Sequence, residues 1–480
     1  MDRISELPKD ILHRILYFLS PKQVVRTSVL SKSWRYDWCT RPNLDFSDMD
    51  FIVKMQESVS TVNNILQRYY DQRLCIQKLH RSLLLDNNLD RWVSLLKTWT
   101  PLLTLTGLKK FRLVYFGGMP AEVFGAESLE DLHLEGFTFD EKGIERMVVF
   151  KRLRSLCLRH VKFEDDVLQK IIASCPLIET LNVEGYCDWE WTSTIKLNDL
   201  RNLKNLKSNI FTFEIHPPSL ETIDIRCGDI RLHRGAVFYN LRDLYLARVG
   251  SSLDHLSSCK FPRLECLDLY DCGRPEEIQL FIDAPNIVCF KCNESRVPSI
   301  SFATTSREWK SDISLTPDEF SSSWFLKIKE LLKSLSRSKI SLTIGGFDYI
   351  VQENINTVQD NDCDNPVVVE CLRLDCPYPL SSFSYLLNVT FGICRPRNIG
   401  NFHEQADAEF VAFQWKILMQ RESENQDEFA HLLFRDLEDV SFEMKERNRE
   451  DQWRPASLSE FILNCRQSES RFALKWRETL

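Results

Sequence analysis

The sequence predicts an α/β protein in which a small helical unit precedes a long body of repeated strand-and-helix units. Three observations support this prediction. Apolar residues recur at helical spacing over the first forty residues. A six-residue pattern, with leucine or a similar residue at its first, fourth and sixth positions, then returns many times along the chain. Proline repeatedly stands two residues before that pattern.

Composition narrows the class of protein. The chain has 480 residues, more than one hydrophobic core holds, because domains usually have about 100–200 residues. Hydrophobic residues make up 43% and charged residues 27%, which is typical of globular chains. The net charge of −8 argues against a general nucleic-acid binder, since such domains are usually basic. No apolar run approaches the roughly 20 residues of a membrane span, and residues 1–10 lack the apolar stretch of a secretory signal.

We therefore expect the protein in the cytoplasm and/or nucleus, where its sixteen cysteines stay free thiols. The glycosylation sequons at Asn293 and Asn388 are then not modified. Cys289 and Cys292 form a CxxC motif without a second pair nearby. They also fall in a predicted strand, where residues three apart point to opposite faces. We expect no metal site and no cofactor.

The first forty residues predict three short helices with more apolar side chains than so small a unit buries. Ser20-Pro21 is expected to begin the second helix, and Ser31 the third. The apolar positions are Leu7, Ile11, Leu12, Ile15, Leu16, Leu19, Val24, Val25, Val29, Trp34 and Trp38. Units of this size usually need a metal, disulfides or a partner, and this one has only Cys39 and His13. A partner protein is therefore predicted.

Two other interpretations of this unit stay open. It fits an N-terminal helical cap on the repeats. It also fits a DNA-binding helix-turn-helix, because residues 1–41 hold eight Lys/Arg and four Asp/Glu. The third helix, however, is too short and too aromatic to present several base-reading side chains.

Residues 7–12 read Leu-Pro-Lys-Asp-Ile-Leu, and residues 24–35 end in Leu-Ser-Lys-Ser-Trp-Arg. This segment resembles the F-box of plant F-box proteins, and the second run is its most specific part. The resemblance implies binding to a Skp-type adaptor and, through it, to a cullin and a RING subunit of a ubiquitin ligase. The residues it implies for adaptor binding are Leu7, Pro8, Ile11, Leu12, Ile15, Val24, Leu30 and Trp34.

The repeat pattern begins at Leu108, Leu129, Leu153, Ile178, Leu220, Leu241, Leu264 and Ile287. Most starts are 21 to 25 residues apart, and one interval of 42 residues has room for two repeats. Within that interval, Leu203 and Leu206 are a poor match to the pattern. Prolines lie two residues before four starts, at Pro176, Pro218, Pro262 and Pro285. Proline suits a loop that enters a strand, because it donates no ladder hydrogen bond.

Residues 165–174 predict a helix that returns the chain from one strand to the next. One strand and one return segment per unit is the leucine-rich-repeat arrangement. Residues 153–183, including Cys175-Pro176, resemble the repeats of plant F-box proteins. The predicted fold is thus α/β, with a three-helix F-box followed by an irregular leucine-rich-repeat solenoid with a curved parallel sheet. An unrelated α/β domain with leucine-rich strands is the alternative.

We predict an F-box at 1–41, a helical connector at 42–75, leucine-rich repeats at 76–300, degenerate repeats at 301–403 with a polar loop near 352–366, and a C-terminal α/β cap at 404–480. Later elements are a helix at 324–335 and strands at 340–344 and 472–476. Residues 369–374 are expected to form one more repeat strand. Gly117-Gly118 and Gly345-Gly346 are interpreted as isolated turns rather than phosphate loops.

Strand alternation places polar side chains on the outward face of the repeats. Candidates for a substrate-binding face are Asp131, His133, Glu135, Arg159, Asp224, Arg226, Tyr245, Asp268 and Tyr270. Tyrosine and arginine are typical interface anchors. His133 and His160 are interpreted as exposed histidines, because no nucleophile with an orienting group is evident beside them.

The sequence therefore predicts a non-catalytic adaptor, in which the F-box holds the Skp-type subunit and the repeats hold a protein substrate. No catalytic residue is expected, since ubiquitin transfer takes place on another subunit. A leucine-rich-repeat scaffold or receptor that binds a protein without causing its degradation is the alternative.

Overall fold

The computed structural model describes residues 7–19, 23, 26–27, 40–46, 55–82, 98–99, 103, 105–118, 127–139, 150–163, 166–185, 194–215, 219–249, 253–272, 279–317, 320–346, 366–374, 382–401, 408–419, 436–446, 452–465 and 467–477. The chain forms two compact units, Met1–Arg231 and Leu232–Leu480. The second and third predicted N-terminal helices and nearly all of the polar loop at 352–366 lie outside the described residues.

Unit 1 contains a sheet of parallel strands. The strands, in spatial order, are β1 (Asn43–Asp45), β2 (Lys78–Ser82), β3 (Lys110–Gly118), β4 (Asp131–Phe139), β5 (Ser155–Phe163), β6 (Thr180–Gly185), β8 (Asn205–Ser208) and β10 (Thr222–Arg226). A second, three-stranded sheet contains β7 (Thr194–Lys196), β9 (Thr212–Ile215) and β11 (Asp229–Leu232). These observations confirm an α/β fold with a largely parallel sheet.

Strand alternation explains why each repeat needs its neighbours. In β4 and β5 the leucines are buried, while the residues between them are partly exposed. The backbone connects adjacent repeats in the same register. The carbonyl of Arg154, just before β5, accepts hydrogen bonds from the N–H groups of Glu179 at 2.7 Å and Thr180 at 2.9 Å. Equivalent pairs of bonds recur from repeat to repeat, so the apolar positions of successive strands stack side by side.

The repeated prolines occupy one defined position in a turn. The carbonyl of Cys175 accepts a hydrogen bond from the N–H of Ile178 at 3.2 Å, which closes a four-residue turn around Pro176. Pro262 and Pro285 lie in equivalent turns. Proline suits this second position of a β-turn, because its ring fixes φ near the value that the turn requires. The turn thus adds a second reason for the proline spacing.

The repeat missing from the 42-residue interval is β8, so its dismissal on sequence was wrong. β8 lies between β6 and β10, and Leu203 and Leu206 are both buried. Ser208 occupies the third apolar position. Its hydroxyl donates to the carbonyl of Ile210 at 2.6 Å, which satisfies the buried oxygen without a leucine.

Unit 1 contains three described helices: α1 (Lys9–Tyr17), α2 (Met55–Asp71) and α3 (Val167–Ala173). The predicted connector helix is confirmed as α2, which buries Val62 and Leu66. The hydroxyl of Tyr69 donates to the carbonyl of Arg41 at 2.7 Å, and the indole of the buried Trp99 donates to the Asn63 side chain. The return helix predicted at 165–174 is confirmed as α3.

Unit 2 continues the same pattern and ends differently. Its parallel strands are β12 (Asp243–Ala247), β13 (Cys266–Tyr270), β15 (Cys289–Glu294), β17 (Lys310–Leu315), β18 (Lys339–Ile344), β20 (Cys371–Leu374) and β22 (Asn398–Asn401). Antiparallel strands follow, namely β25 (Ser468–Trp476), β23 (Leu437–Glu446) and β24 (Arg454–Pro455). Two short parallel pairs join β14 (Gln279–Asp283) to β16 (Ser299–Ala303) and β19 (Val367–Val369) to β21 (Cys394–Pro396).

The described helices of unit 2 are α4 (Asp254–Ser257), α5 (Ser322–Ser334), α6 (Ser382–Ile393), α7 (Ala408–Met419) and α8 (Leu458–Asn464). The helix predicted at 324–335 is confirmed as α5, which Ser321 caps by accepting from the N–H of Trp324. The strands predicted at 340–344 and 472–476 are confirmed as parts of β18 and β25.

Two local predictions have different outcomes. Gly117 and Gly118 do not form an isolated turn, because they end β3 and pair with Phe137 and Thr138 after a register shift. Glycine is common where such a bulge bends a strand. Gly346, by contrast, follows β18 with φ of 80°, a left-handed conformation that suits glycine at a turn.

The cysteines in the described part of the chain are free, and within β15 Cys292 is buried while Cys289 is partly exposed. Over the same residues there is no cluster of three or more His, Cys, Asp or Glu side chains that could hold a metal ion. None of the described helices has the length and apolarity needed to cross a membrane.

We predict that Leu206→Ala lowers the free energy of unfolding by about 2–5 kcal/mol, because it leaves a cavity in a buried repeat. Chemical denaturation followed by circular dichroism measures the change. Arg201→Ala, in the exposed turn just before β8, is the control and should change stability by no more than about 0.5 kcal/mol. Equal stability of the two variants would show that β8 is not a core repeat.

Candidate protein-binding surfaces

Helix α1 has one buried and one exposed apolar side. Leu12 and Leu16 are buried, and Leu7 and Leu19 pack against them. Ile11, Ile15 and Phe18 face outward, with 47%, 37% and 76% of their surface exposed. Pro8 is exposed at the helix start. Of the predicted adaptor-binding residues, Pro8, Ile11 and Ile15 are thus accessible, Leu12 packs inside, and Val24, Leu30 and Trp34 lie outside the described residues.

The outward side of β3 to β10 in unit 1, here called the first strand face, carries six of the predicted substrate-face residues. Strand register arranges its side chains in rows. One row runs Arg112, His133, Cys157, Asn182, Lys207 and Asp224. The next row includes Glu135, Arg159 and Glu184. The predicted Asp131 and Arg226 lie on the same side, and these positions are partly or fully exposed.

Glu135 is the centre of one charged cluster. Its carboxylate lies 3.3 Å from Nδ1 of His160, 3.6 Å from Nε2 of His133 and 4.0 Å from Nη2 of Arg112. Only 19% of the His133 side chain is exposed, so its interpretation as an exposed histidine was wrong. The cause is the neighbouring long side chains, which a sequence pattern does not place. Burial, followed by the charge of Arg112, lowers the pKa of His133 below its ordinary value.

Glu184 is the centre of a second cluster. Its carboxylate accepts from Nε of Arg159 at 2.8 Å and lies 3.0 Å from Nζ of Lys207. Burial alone would raise the pKa of Glu184, but the hydrogen bonds from Lys207 and Arg159 outweigh it and lower the pKa. The carboxylate is therefore charged at neutral pH and connects three adjacent strands.

Between the two clusters lies Cys157, whose side chain is mostly covered. Burial raises the pKa of the Cys157 thiol to about 11, so the sulfur is protonated at neutral pH. A thiol in this state is a poor nucleophile. The neighbouring row includes uncharged polar side chains. The Thr222 hydroxyl donates to Oδ1 of Asn205 at 2.9 Å, and Nδ2 of Asn205 donates to the Thr180 hydroxyl at 3.3 Å. This arrangement favours binding through hydrogen bonds and ion pairs.

The outward side of the parallel strands of unit 2, here called the second strand face, is built in the same way. One row runs Tyr245, Asp268, Lys291 and Asp312, with charges that alternate between neighbouring strands. Tyr270 lies one row further and is 38% exposed. The predicted Tyr245, Asp268 and Tyr270 therefore share one face within unit 2.

Sequence reasoning did not select Arg112, Lys207, Lys291 and Asp312 as candidates. Arg112 and Lys207 lie in the same row as His133 and Asp224 on the first strand face. Lys291 and Asp312 lie in the same row as Asp268 on the second strand face. The signal was available for Arg112 and Lys291, because each lies at a fixed offset in a recognised repeat. Lys207 belongs to β8, whose repeat pattern is degenerate, and Asp312 belongs to β17, where the pattern is not recognisable in the sequence.

Comparisons with known proteins match two segments of the chain. Residues 4–36 match the F-box domain, and residues 96–223 match the LRR repeats of FBD-associated F-box protein At5g56370. The chain is 30% identical to the Arabidopsis thaliana FBD-associated F-box protein At5g56370 over 237 residues. This alignment covers 48% of this chain and 50% of that protein. It is also 30% identical to Arabidopsis thaliana F-box/LRR-repeat protein 13 over 196 residues, covering 39% of this chain and 42% of that protein.

The chain thus spans about half the length of the curated relatives it matches. Among solved structures, the crystal structure of a TLR13–ssRNA13 complex aligns with 75% of this chain and 62% of that chain. Its TM-score is 0.35 and its sequence identity 14%, a level of similarity on which no argument rests.

The lowered pKa of His133 predicts that the folded protein loses stability as the pH falls. In the unfolded chain the His133 side chain has an ordinary pKa near 6.5, so it takes up a proton more readily than in the folded chain. This contribution to stability is therefore present above about pH 6.5 and is lost as pH falls through the lower pKa of the folded state. We expect His133→Gln to reduce the loss of unfolding free energy between pH 7 and pH 5, measured by chemical denaturation.

His255→Gln, which changes a histidine of α4 outside the cluster, is the matched control and should keep the wild-type pH dependence. An unchanged pH dependence in His133→Gln would contradict the assignment of this proton to His133.

Proposed function

We propose that this chain, which carries the F-box and the leucine-rich repeats of the plant F-box/leucine-rich-repeat family, is the substrate-recognition adaptor of a Skp-cullin-F-box E3 ubiquitin ligase. The F-box binds a Skp-type adaptor and, through it, a cullin and a RING subunit. The repeats bind a protein substrate. The chain itself is not a catalyst, and it acts in the cytoplasm and/or nucleus.

The observation that carries this proposal is the exposed apolar side of α1 within the segment that matches the F-box. Leu12 and Leu16 already fill the inner side of the helix. Ile11 and Ile15 are therefore apolar positions of the helix that a second protein can cover. Full burial of such a side chain contributes roughly 1.5–3 kcal/mol, so a few of them support a stable contact.

The two strand faces support the second half of the proposal. Both present rows of charged and polar side chains at fixed spacing, because the strands hold them in register. Charge pairs such as Arg159–Glu184 orient the side chains before any partner arrives. Complementary charge chiefly gives specificity and fast association, which suits recognition of a protein substrate.

The chain's contribution to ubiquitin transfer is proximity. A substrate held on the repeats is attached to the same complex as the enzyme that carries ubiquitin. Its effective concentration at that enzyme rises, and no chemical group of this chain needs to take part.

We predict that the double variant Ile11→Ala, Ile15→Ala weakens capture of a Skp-type adaptor by at least about tenfold, because it removes exposed apolar contacts. Titration calorimetry with the purified adaptor measures the affinity. Arg14→Ala, exposed on the same helix, is the control, and circular dichroism checks that the repeats stay folded. Wild-type affinity in the double variant would refute the adaptor-binding role of α1.

We also predict that Asp224→Lys in unit 1 and Asp268→Lys in unit 2, tested separately and together, impair substrate capture and leave adaptor binding intact. Each residue is on an outward face, so its reversal perturbs the fold little but repels a complementary patch. The inward neighbours behave differently, since Ile223→Ala or Leu267→Ala leaves a cavity that costs about 2–5 kcal/mol.

Proximity labelling with and without proteasome inhibition identifies proteins that both bind the chain and are degraded. Bound proteins that are not degraded would instead indicate a non-degradative scaffold. An unchanged set of bound proteins in the charge variants would place recognition away from the two strand faces.

A further inference from the structure

The last strands of unit 2 place two arginines on either side of a glycine. Register puts Thr343 of β18 beside Arg373 of β20, Arg373 beside Gly400 of β22, and Gly400 beside Arg471 of β25. Glu443 of β23 lies beyond Arg471. These five residues form one row across five neighbouring strands, here called the arginine row.

The two arginines of this row differ in their partners. Arg471 is held on both sides, because its Nη2 lies 2.7 Å from Glu443 and its guanidinium lies 4.3 Å from the ring centre of Trp453. Arg373 is partly buried, yet it has no carboxylate partner within the described part of unit 2. Among the described residues its charge is therefore unpaired, and the guanidinium of Arg471 comes from the strand on the other side of Gly400.

Gly400 keeps the space between the arginines open. A Cβ atom at this position would lie 3.3 Å from Sγ of Cys371 and 3.7 Å from Cγ of Arg373. The Arg373 side chain thus lies beside the glycine at ordinary van der Waals distance, and a Cβ atom would crowd only the sulfur of Cys371. The glycine therefore leaves room for the Arg373 side chain over this strand.

Among the described residues of the row itself, Arg373, Arg471 and Glu443 leave a net charge of +1. Lys445 pairs with Glu469 at 2.9 Å, so this pair contributes no net charge. Burial raises the pKa of the Cys371 thiol above its ordinary value, while the charges of Arg373 and Arg471 oppose this rise and the charge of Asp312 adds to it. Both guanidinium charges therefore act at the sulfur next to Gly400.

We propose that Arg373, with Arg471, binds one anionic oxygen group, a carboxylate or a phosphate, over Gly400. The planar guanidinium presents paired N–H donors that match either group. That this group belongs to an acidic or phosphorylated segment of a protein substrate rests on the proposed function. The anion site itself is independent of the ubiquitin ligase.

Thermal unfolding of the full chain in inorganic phosphate, in acetate and in chloride at equal ionic strength tests the site. Binding to the folded state raises the melting midpoint with ligand concentration, by roughly 1–3 °C when the ligand exceeds its Kd tenfold. We expect this rise in phosphate, in acetate or in both, relative to chloride. A rise in phosphate alone assigns the site to phosphorylated partners, and a rise in acetate as well assigns it to acidic ones.

Arg373→Gln should abolish the rise, and Arg373→Lys should keep only part of it, because lysine retains the charge and loses the paired donors. Arg397→Gln is the matched control, since Arg397 is an exposed arginine of unit 2 that pairs with Glu370 at 3.0 Å. It should respond to the anions as the wild type does. Equal midpoints in all three salts for the wild type, or the same rise in Arg373→Gln, would overturn the proposal whether or not the chain binds a Skp-type adaptor.

Discussion

The whole repeat body depends on lateral stacking of parallel strands. Each strand has one apolar side, and no repeat is large enough to cover that side alone. The neighbouring strands cover it, and the carbonyl before each strand accepts two hydrogen bonds from the next repeat, as Arg154 does from Glu179 and Thr180. Stability and register therefore come from the same contact between neighbours.

This register determines what the outward faces present. Side chains at equivalent positions lie about 4.8 Å apart along each row, so opposite charges on adjacent strands meet. Lys109 bonds Glu130 at 3.0 Å, and Glu179 accepts from Arg154 at 2.7 Å and from Lys204 at 2.9 Å. These exposed pairs add little stability individually. A one-residue slip would separate these pairs and turn the leucines outward.

Much of the fold could be predicted because leucine spacing reports buried strand positions directly. Repeats that keep leucine or isoleucine at all three positions were found from the pattern. The repeat of β8 was missed because a serine, Ser208, stands at its third position. This serine can be buried there because its hydroxyl donates to a carbonyl two residues further along the chain. The proline spacing was visible, but its cause, a β-turn closed by the backbone, required the structure. The short outer strands such as β14 and β16 were also missed, since the return segments that contain them lack a strong period.

The candidate surfaces could be predicted only in part. Strand alternation correctly placed Asp131, Glu135, Arg159 and Asp268 on outward faces. It could not show that His133 is covered by its neighbours, or that Leu12 packs inward while Ile11 faces out. Nor could it find the arginine row, because β22 and β25 come together antiparallel from segments about 70 residues apart. Such contacts depend on tertiary pairing that no local pattern encodes.

Native mass spectrometry of the full chain, co-expressed with a Skp-type adaptor and a cullin, tests the central claim most directly. We expect a complex with one copy of each protein, in which the cullin joins only when the adaptor is present. Recovery of the folded chain alone, beside a free adaptor–cullin pair, would contradict the proposed function.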